Sequence, residues 1–220
     1  MTPLHILITA GPTREPIDAV RYLSNRSTGR MGICLAEAAI AEGHRVTLVL
    51  GPSALTPPSI AETVNVESAA DMFHAVESRF KDCDVFISSA AVADYTPSTR
   101  FDGKLKKSEG DLTLTLKRTT DILAWAGKAR APSQTLVGFA LEADPRLSLA
   151  REKIAKKRCD LLIHNSPANF GQGAGAVRIC TPQGVIHTTD GADKPALAAT
   201  ILRFTLAHRA GEQMKSQGWE

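Results

Sequence analysis

The sequence predicts an α/β fold, a Rossmann-like, doubly wound and mainly parallel sheet with a β flap and a C-terminal hairpin. Short, nearly continuous apolar segments recur along the chain, and helical patterns lie between most of them. Strands buried on both faces of a parallel sheet have this apolar character, and their alternation with helices is typical of a sheet covered on both sides. We therefore expect a single domain over residues 1–220.

Five apolar segments are predicted to be core strands. They are residues 4–9, 45–50, 85–89, 135–139 and 160–164. The helices predicted between and after them are residues 32–42, 69–80, 121–128, 144–157 and 194–208. Gly43 follows the first helix, where a left-handed residue commonly ends one.

Two segments depart from this alternation. Residues 96–117 are polar and charged, and we interpret them as a flap or β-arm; the alternating leucines of residues 111–117 predict a half-exposed strand there. Its edge could pair in a dimer, or the arm could be a surface hairpin without a function. A C-terminal hairpin is predicted at about residues 176–189, with strands 177–180 and 185–188.

The connection after the first strand is unusually long. It runs from Gly11 to the predicted helix start at Gly32, roughly eighteen residues or more where two to six are usual. Long loops at the carboxyl edge of a parallel sheet bind ligands. Ser27, Thr28 and Gly29 precede the helix, which suits either phosphate binding or, especially at Gly32, close helix packing.

Composition excludes several classes of protein. A net charge of +3 without interleaved aromatic residues argues against nucleic-acid binding, and no segment is long and apolar enough to cross a membrane. The N-terminus lacks a signal peptide pattern. Four scattered cysteines and six dispersed histidines indicate neither disulfides nor a metal site, so we expect a cytoplasmic protein.

Residues 90–107 suggest a nucleotide-using enzyme. A small-residue loop containing Asp94 directly follows the strand at residues 85–89, and Lys104 lies in a lysine cluster ten residues further on. Small side chains allow a ligand to approach the backbone, an acid can hold a ribose or a metal-bound water, and lysines neutralise phosphates. A second basic cluster lies at residues 151–158; such runs are more often solvated helix faces.

Two alternatives belong to other functional classes. A dinucleotide oxidoreductase shares this architecture, but the glycine spacing near Gly11 and an acid at the end of the second strand are both missing. A non-catalytic, Rossmann-like nucleotide-binding protein is the other alternative. Such a protein would have no need of side chains that act on an acyl intermediate.

Seven motifs in order closely resemble the phosphopantothenate–cysteine ligase family, also called phosphopantothenoylcysteine synthetase. They are residues 8–15 (ITAGPTRE), 20–32, 90–95 (AAVADY), 104–107 (KLKK), 121–123 (DIL), 137–142 (VGFALE) and 160–165 (DLLIHN). The resemblance covers nearly the whole chain. It implies an enzyme of coenzyme A biosynthesis.

The resemblance implies a two-step ligation. The carboxylate of 4′-phosphopantothenate attacks the α-phosphorus of CTP, or of ATP in eukaryotic members, and pyrophosphate leaves. The amine of L-cysteine then displaces the nucleotide and forms the amide. Mg²⁺ and lysines would neutralise the triphosphate.

The resemblance also assigns roles to residues. Asn25 and Lys104 match the catalytic positions, and Asn25 and Arg21 match substrate-binding positions. The nucleotide-binding positions that match are Gly11, Ser88, Ser89, Ala90, Asp94, Lys104, Thr120, Asp121, Ile122, Leu123, Phe139, Lys153 and Lys157. Metal ligands are not assigned.

Two departures from the family qualify these expectations. Thr120 stands where the family often has proline, which alters the local turn beside the nucleotide. Many bacterial members carry an N-terminal flavin-dependent decarboxylase, whereas Met1 here precedes the first strand by a few residues. We therefore expect a free-standing ligase or an excised domain without FMN, a homodimer, and possibly a decarboxylase on a separate chain.

Overall fold

The computed structural model describes residues 2–107, 109–141, 147–165 and 177–219. Its helices are α1 Arg30–Ala41, α2 Ala69–Phe80, α3 Ile122–Ala129, α4 Leu147–Lys157 and α5 Lys194–Arg209. Its strands are β1 His5–Ala10, β2 Arg14–Pro16, β3 Tyr22–Ser24, β4 Arg45–Leu50, β5 Glu62–Asn65, β6 Val85–Ser88, β7 Tyr95–Pro97, β8 Leu116–Arg118, β9 Thr135–Leu141, β10 Leu161–Asn165, β11 Val177–Thr181 and β12 Gly184–Thr189.

Eight strands form the central sheet, in the order β12-β11-β10-β9-β6-β1-β4-β5. The pairs from β5 across to β10 are parallel, and β11 and β12 add an antiparallel hairpin at one edge. The chain first winds outward from β1 to β5 and then returns to β6 on the other side of β1. This reversal opens a crevice beyond the carboxyl ends of β1 and β6, the usual ligand site of such sheets.

Helices cover both faces of the sheet, which explains the continuous apolar strands. In β1, Ile6 and Ile8 pack with residues of α1 and α5, while Leu7 between them packs with residues of α2, α3 and α4. Successive side chains of a strand point to opposite faces, so a strand covered on both sides needs apolar residues at every position. The predicted three-layer α/β class is confirmed.

Most predicted elements lie within a few residues of the observed ones. α1 begins at Arg30, two residues before the predicted start, because Gly29 adopts a left-handed conformation (φ 83°) at its N-cap. The short, half-buried edge strand β5 was not predicted. The C-terminal hairpin is confirmed from Val177 onward. Residue 176 and the predicted helix start at residues 144–146 lie outside the described residues.

The flap differs from its prediction. Residues 111–115 lie outside any strand, and only Leu116–Arg118 pairs, with Tyr95–Pro97 of β7. The alternating leucines have no buried face to fill, since Leu112 remains 53% exposed. The strand predicted at residues 111–117 is therefore wrong over residues 111–115 and confirmed only at residues 116–117, which belong to β8. An arm leaving the core near residue 96 and returning at residue 118 is present.

The long first connection contains a small hairpin. β2 and β3 pair in antiparallel fashion, and the buried Glu15 accepts a hydrogen bond from the Ala69 amide (2.8 Å), which fixes the hairpin to the start of α2. Gly32 lets α1 lie against β1: a Cβ there would come within 2.3 Å of Ala10 Cβ. Close helix packing, one of the two interpretations of Gly32, is confirmed.

None of the helices in the described ranges is long and apolar enough to cross a membrane. The four cysteines are buried and unbonded to one another.

Candidate active site

The floor of the crevice is formed by two backbone segments joined directly to each other. Ser89 Oγ donates to the Thr9 carbonyl (2.6 Å), and the Ala91 amide donates to the Gly11 carbonyl (2.9 Å). Gly11 has a φ of 82°, and a Cβ there would lie 3.0 Å from the Gly51 carbonyl oxygen. Small residues at these positions let the loops after β1 and β6 approach each other and expose backbone at the switch point.

The larger of two cavities above this floor has a volume of about 780 Å³. It brings together eleven of the fifteen residues predicted for the site. They are Asn25, Ser88, Ala90, Asp94, Thr120, Asp121, Ile122, Leu123, Phe139, Lys153 and Lys157. Strand ends, the first turn of α3 and one side of α4 thus meet at one place, although 132 residue numbers separate Asn25 from Lys157.

Lys153 and Lys157 are the two inward-facing members of the basic cluster at residues 151–158. Both line the larger cavity and are half-buried, while Arg151, Lys156 and Arg158 are exposed. Residues four apart lie on the same helix face. The cluster is therefore more than the solvated helix face that such charge runs usually form.

Asp121 organises the wall of this cavity. One carboxylate oxygen accepts from the Ala124 amide (2.9 Å) and caps α3, and the other forms a short ion pair with Lys157 Nζ. Burial lowers the pKa of Lys157 below its ordinary value, and the negative charge of Asp94 partly opposes this. The Lys157 ammonium thus lies partly desolvated between two carboxylates, where charge interactions are stronger than in water.

Asn25 follows β3 and reaches the floor of the crevice. Its Nδ2 donates to the Ala91 carbonyl (2.9 Å), and the neighbouring Ser24 Oγ donates to the Thr13 carbonyl (2.8 Å). The Asn25 side chain is exposed to the cavity. An amide held at this point can present a donor to a ligand atom lying above Ala91.

A smaller cavity of about 420 Å³ lies beside the first, at the start of α1. Arg26, Arg30 and Lys194 bring positive charge to it, Ser27 and Ser89 bring hydroxyl groups, and its described lining includes no carboxylate. Such a cavity suits a polyanion. Sequence reasoning missed all three cations; Arg26 and Arg30 flank the glycine loop, but nothing in the sequence indicates that Lys194, at the start of α5, lies close to it.

The two cavities share one wall. Arg26, Ala90, Ala91, Phe139 and Leu141 line both of them. Two ligands bound on either side of this wall would therefore come into contact over residues 90–91. Ser89, predicted as a nucleotide contact, lines the smaller cavity.

Three predicted residues line neither cavity. Gly11 lies beneath the floor, Arg21 pairs with Asp18, and Lys104 is exposed on the flap. The two residues that match catalytic positions of the family, Asn25 and Lys104, therefore do not line the same cavity in this structure. Hydrogen bonds attach the flap on both sides of Lys104 to the segment at residues 17–21.

Potential metal ligands are sparse. Within the part of the chain that the structure describes, no group of three or more His, Cys, Asp and Glu side chains lies together. Asp121 is engaged by the α3 N-terminus and Lys157, whereas Asp94 is exposed in the larger cavity. One carboxylate suits Mg²⁺ bound mainly through phosphate oxygens and water.

Residues 1–208 match the family model described as DNA/pantothenate metabolism flavoprotein C-terminal domain. The chain belongs to this family. The match covers β1 to α5, including every residue of both cavities.

Curated relatives agree with this membership. The chain is 51% identical over 173 residues to the coenzyme A biosynthesis bifunctional protein CoaBC of Bacillus subtilis (strain 168), covering 78% of this chain and 42% of that protein. It is 44% identical over 210 residues to a cysteine/cysteine sulfinic acid decarboxylase of an unknown prokaryotic organism, covering 92% and 58%. The chain thus spans about half the length of these relatives.

Solved structures share the fold. The C-terminal domain of coenzyme A biosynthesis bifunctional protein CoaBC superposes with a TM-score of 0.81 at 36% identity, covering 94% of this chain and 96% of that one. A DNA/pantothenate metabolism flavoprotein from Streptococcus pneumoniae gives the same TM-score at 25% identity, covering 93% and 99%.

Proposed function

We propose that this chain is a phosphopantothenate–cysteine ligase, which condenses 4′-phosphopantothenate with L-cysteine through an acyl-nucleotide formed from CTP. Family membership and the CoaBC relatives support the reaction class. The observation that carries the proposal is the pair of adjoining cationic cavities, with Asn25 held against their shared wall. A ligase of this kind must bring two anionic substrates together, and two adjoining cationic cavities supply the space and the positive charge for this.

The first step needs charge neutralisation more than covalent help. A carboxylate must attack a phosphorus atom surrounded by negative oxygens, and pyrophosphate must leave. Lys153 and Lys157 in the larger cavity, and Arg30 and Lys194 in the smaller one, supply positive charge on both sides of residues 90–91. Partial burial of Lys157 strengthens its interaction with phosphate.

In the second step the cysteine amine attacks the acyl carbonyl, and negative charge develops on the carbonyl oxygen. The Asn25 amide has two N–H bonds, and the hydrogen bond to the Ala91 carbonyl uses one of them. The second N–H is then able to donate to the acyl oxygen. A donor fixed before the reaction stabilises the transition state without the cost of reorganising.

Mg²⁺ is proposed as the metal, with Asp94 as the protein carboxylate that would hold it, directly or through water. When bound, the ion would neutralise the triphosphate and polarise its phosphorus. Lys157 would then lie beside Asp94 and help to orient it, since the two charges interact in the structure. CTP is the proposed nucleotide and ATP the alternative, because main-chain groups around residues 88–90 and the cavity shape would select the base.

A pyrophosphate-release assay tests the proposal. Purified chain is supplied with Mg²⁺, 4′-phosphopantothenate, L-cysteine and each of CTP, ATP, GTP and UTP in turn. We expect release that requires phosphopantothenate, is fastest with CTP, and yields the amide product by mass spectrometry. Release that is independent of phosphopantothenate would contradict the ligase assignment.

The two alternatives give different results in the same assay. A non-catalytic nucleotide-binding protein would bind CTP without turnover. An NAD(P)-dependent oxidoreductase would instead bind a dinucleotide, but β4 ends at Leu50 and Gly51 with no acid for a ribose hydroxyl. Binding of NADH tighter than CTP would favour that class.

Assembly, partners and location are also proposals. A homodimer is supported by the large apolar side chains of Val20, Tyr22, Tyr95 and Leu116, which are 41% to 61% exposed on the two small hairpins. The chain would act without FMN, with a decarboxylase on the same polypeptide or on another, as the name of the bifunctional relatives suggests. Buried, unbonded thiols favour the reducing cytoplasm. Sedimentation equilibrium at micromolar concentration tests the dimer; a monomer would refute it.

A further inference from the structure

Asp18 lies at the centre of a hydrogen-bond network outside both cavities. Its side chain is fully buried, and it accepts hydrogen bonds from the amides of Val20 (2.8 Å) and Arg21 (2.7 Å) and from the Arg21 guanidinium. It also accepts from the amide of Leu105 (3.0 Å), 87 residues further along the chain. Buried carboxylates that accept this many hydrogen bonds are strongly held in one position.

The network attaches the flap on both sides of Lys104. Before it, the Gly103 carbonyl accepts from the Ala19 amide (3.0 Å). After it, the Leu105 amide donates to Asp18, and the Leu105 carbonyl accepts from Arg21 Nη2 (3.0 Å). Lys104 is therefore the exposed residue between two anchored neighbours, and its backbone position is determined by the segment at residues 18–21.

The two carboxylate oxygens of Asp18 accept different sets of hydrogen bonds. Oδ1 accepts from the amides of Val20 and Arg21 and forms the local turn. Oδ2 accepts from the Leu105 amide and from Nε and Nη2 of Arg21, and so forms the connection to the flap. An asparagine could keep the first set, but its NH₂ group would face three donors on the other side.

We propose that Asp18 is a positioning residue for the ligation, which sets where the flap presents Lys104 relative to Asn25. The segment that Asp18 organises continues through β3 directly to Asn25. One carboxylate thus connects the loop carrying the amide donor to the flap carrying the lysine. This inference rests on the proposed function and on the catalytic roles that the family resemblance implies for Asn25 and Lys104.

The Arg21 guanidinium holds the pKa of Asp18 well below the ordinary range for a carboxyl group. The carboxylate is consequently charged throughout the pH range in which the protein would be assayed. The connection is a permanent structural one rather than a pH switch, so its removal requires a substitution.

The test combines Asp18→Asn with Lys104→Gln and measures kcat and amide hydrogen exchange. We expect Asp18→Asn to raise exchange at Leu105 at least about tenfold with little change in the central sheet, and to lower kcat about tenfold. The double variant should have the kcat of Lys104→Gln alone within about twofold, because residues that act through one another are not additive.

Glu15→Gln is the matched control. Glu15 is also a buried carboxylate in the first connection that accepts a backbone amide, but it anchors α2 instead of the flap. It should leave exchange at Leu105 unchanged. If Asp18→Asn does not fold, the inference is tested with Arg21→Lys by hydrogen exchange alone. A lysine cannot donate to both Asp18 Oδ2 and the Leu105 carbonyl as the arginine does, so exchange at Leu105 should rise. Unchanged exchange at Leu105 would then overturn the inference.

The outcomes separate the inference from the proposed function. If Lys104→Gln leaves kcat unaltered, the assignment of Lys104 in the ligase reaction fails. If Lys104→Gln lowers kcat while Asp18→Asn does not, or if the two losses multiply in the double variant, Asp18 has a merely structural role and the positioning inference is overturned.

Discussion

The side-chain amide of Asn25 donates a hydrogen bond of 2.9 Å to the carbonyl of Ala91. This contact connects the loop after β3 to the loop after β6 across the switch point of the sheet. It also fixes the orientation of the amide, since the carbonyl accepts only an N–H. The amide has a second N–H, and Asn25 lines the larger cavity.

Asn25→Asp should allow activation but block the second step. An aspartate has no N–H to offer either the Ala91 carbonyl or an acyl oxygen, so we expect turnover to fall about 10²- to 10³-fold. Rapid-quench measurement should show about one equivalent of pyrophosphate per site, followed by slow amide formation. Ser24→Ala is the control: it removes the neighbouring hydroxyl, with its hydrogen bonds to the Thr13 and Asn25 carbonyls, and leaves the Asn25 amide in place. An equal loss there would assign the effect to loop position.

Lys104→Gln should impair the reaction and leave the fold intact. The side chain is exposed, so its loss removes little packing. Loss of a charged hydrogen bond to the substrate should lower kcat/KM about 10- to 100-fold. Thermal unfolding monitored by circular dichroism should change by less than about 2 °C. Lys106→Gln, which removes the same charge two residues away, is the control. A large drop in Tm for Lys104→Gln alone would indicate a structural role.

Nucleotide binding should weaken as the pH rises, and it should begin to weaken at a lower pH than the titration of an ordinary lysine would cause. Burial lowers the pKa of Lys157, so its positive charge is present at low pH and is lost as pH rises through that lowered value. The KM for the nucleotide should therefore begin to increase at a pH below the range in which an ordinary lysine loses its charge. Lys157→Arg stays charged over this range and should flatten the profile. Identical profiles for both proteins would exclude Lys157 as the titrating group.

Lys194→Gln should raise the KM for one of the two anionic substrates about tenfold, with a smaller effect on kcat. The reason is that Lys194 lines the smaller cavity and does not belong to the wall that the two cavities share. Initial-rate kinetics with each substrate varied in turn will show which one. The control is Lys128→Gln, an exposed lysine of α3 that lines neither cavity. Unchanged kinetics for Lys194→Gln would exclude the smaller cavity from substrate binding.

Gly32→Ala should destabilise the protein. The new methyl group would meet Ala10 Cβ at 2.3 Å and Ser89 Oγ at 2.8 Å. The resulting strain outweighs the better helix propensity of alanine, and we expect a net loss of about 1–2 kcal/mol in the free energy of unfolding by urea titration. Glu37→Ala, on the exposed face of the same helix, should change it by less than about 0.5 kcal/mol.

The sequence predicted the buried elements well because apolar periodicity reports burial directly. Strands such as Val85–Ser88 are covered on both faces, and nothing competes with their hydrophobic signal. The edge strand Glu62–Asn65 is half-exposed and carries no such signal. The leucines at residues 112–116 show the reverse failure: Leu112 and Leu114 follow a strand pattern but lie outside any strand, and only Leu116 pairs, with Pro97 of β7.

The site was predicted through motifs, and its geometry was not. Local patterns and family resemblance found eleven of the residues that line the larger cavity, because these cluster in a few segments. They could not place Lys194 in the same cavity as Arg30, since only the folded chain brings the starts of α1 and α5 to one place. Nor could they show that Lys104 is held away from both cavities by Asp18 and Arg21.

The wall shared by the two cavities has a practical consequence for inhibitor design. A fragment occupying one side and a fragment occupying the other would approach each other along this shared lining, where Ala90 and Ala91 carry only methyl side chains. Joining two such weak binders by a short tether would make the second association intramolecular, at an effective concentration that can reach the millimolar range.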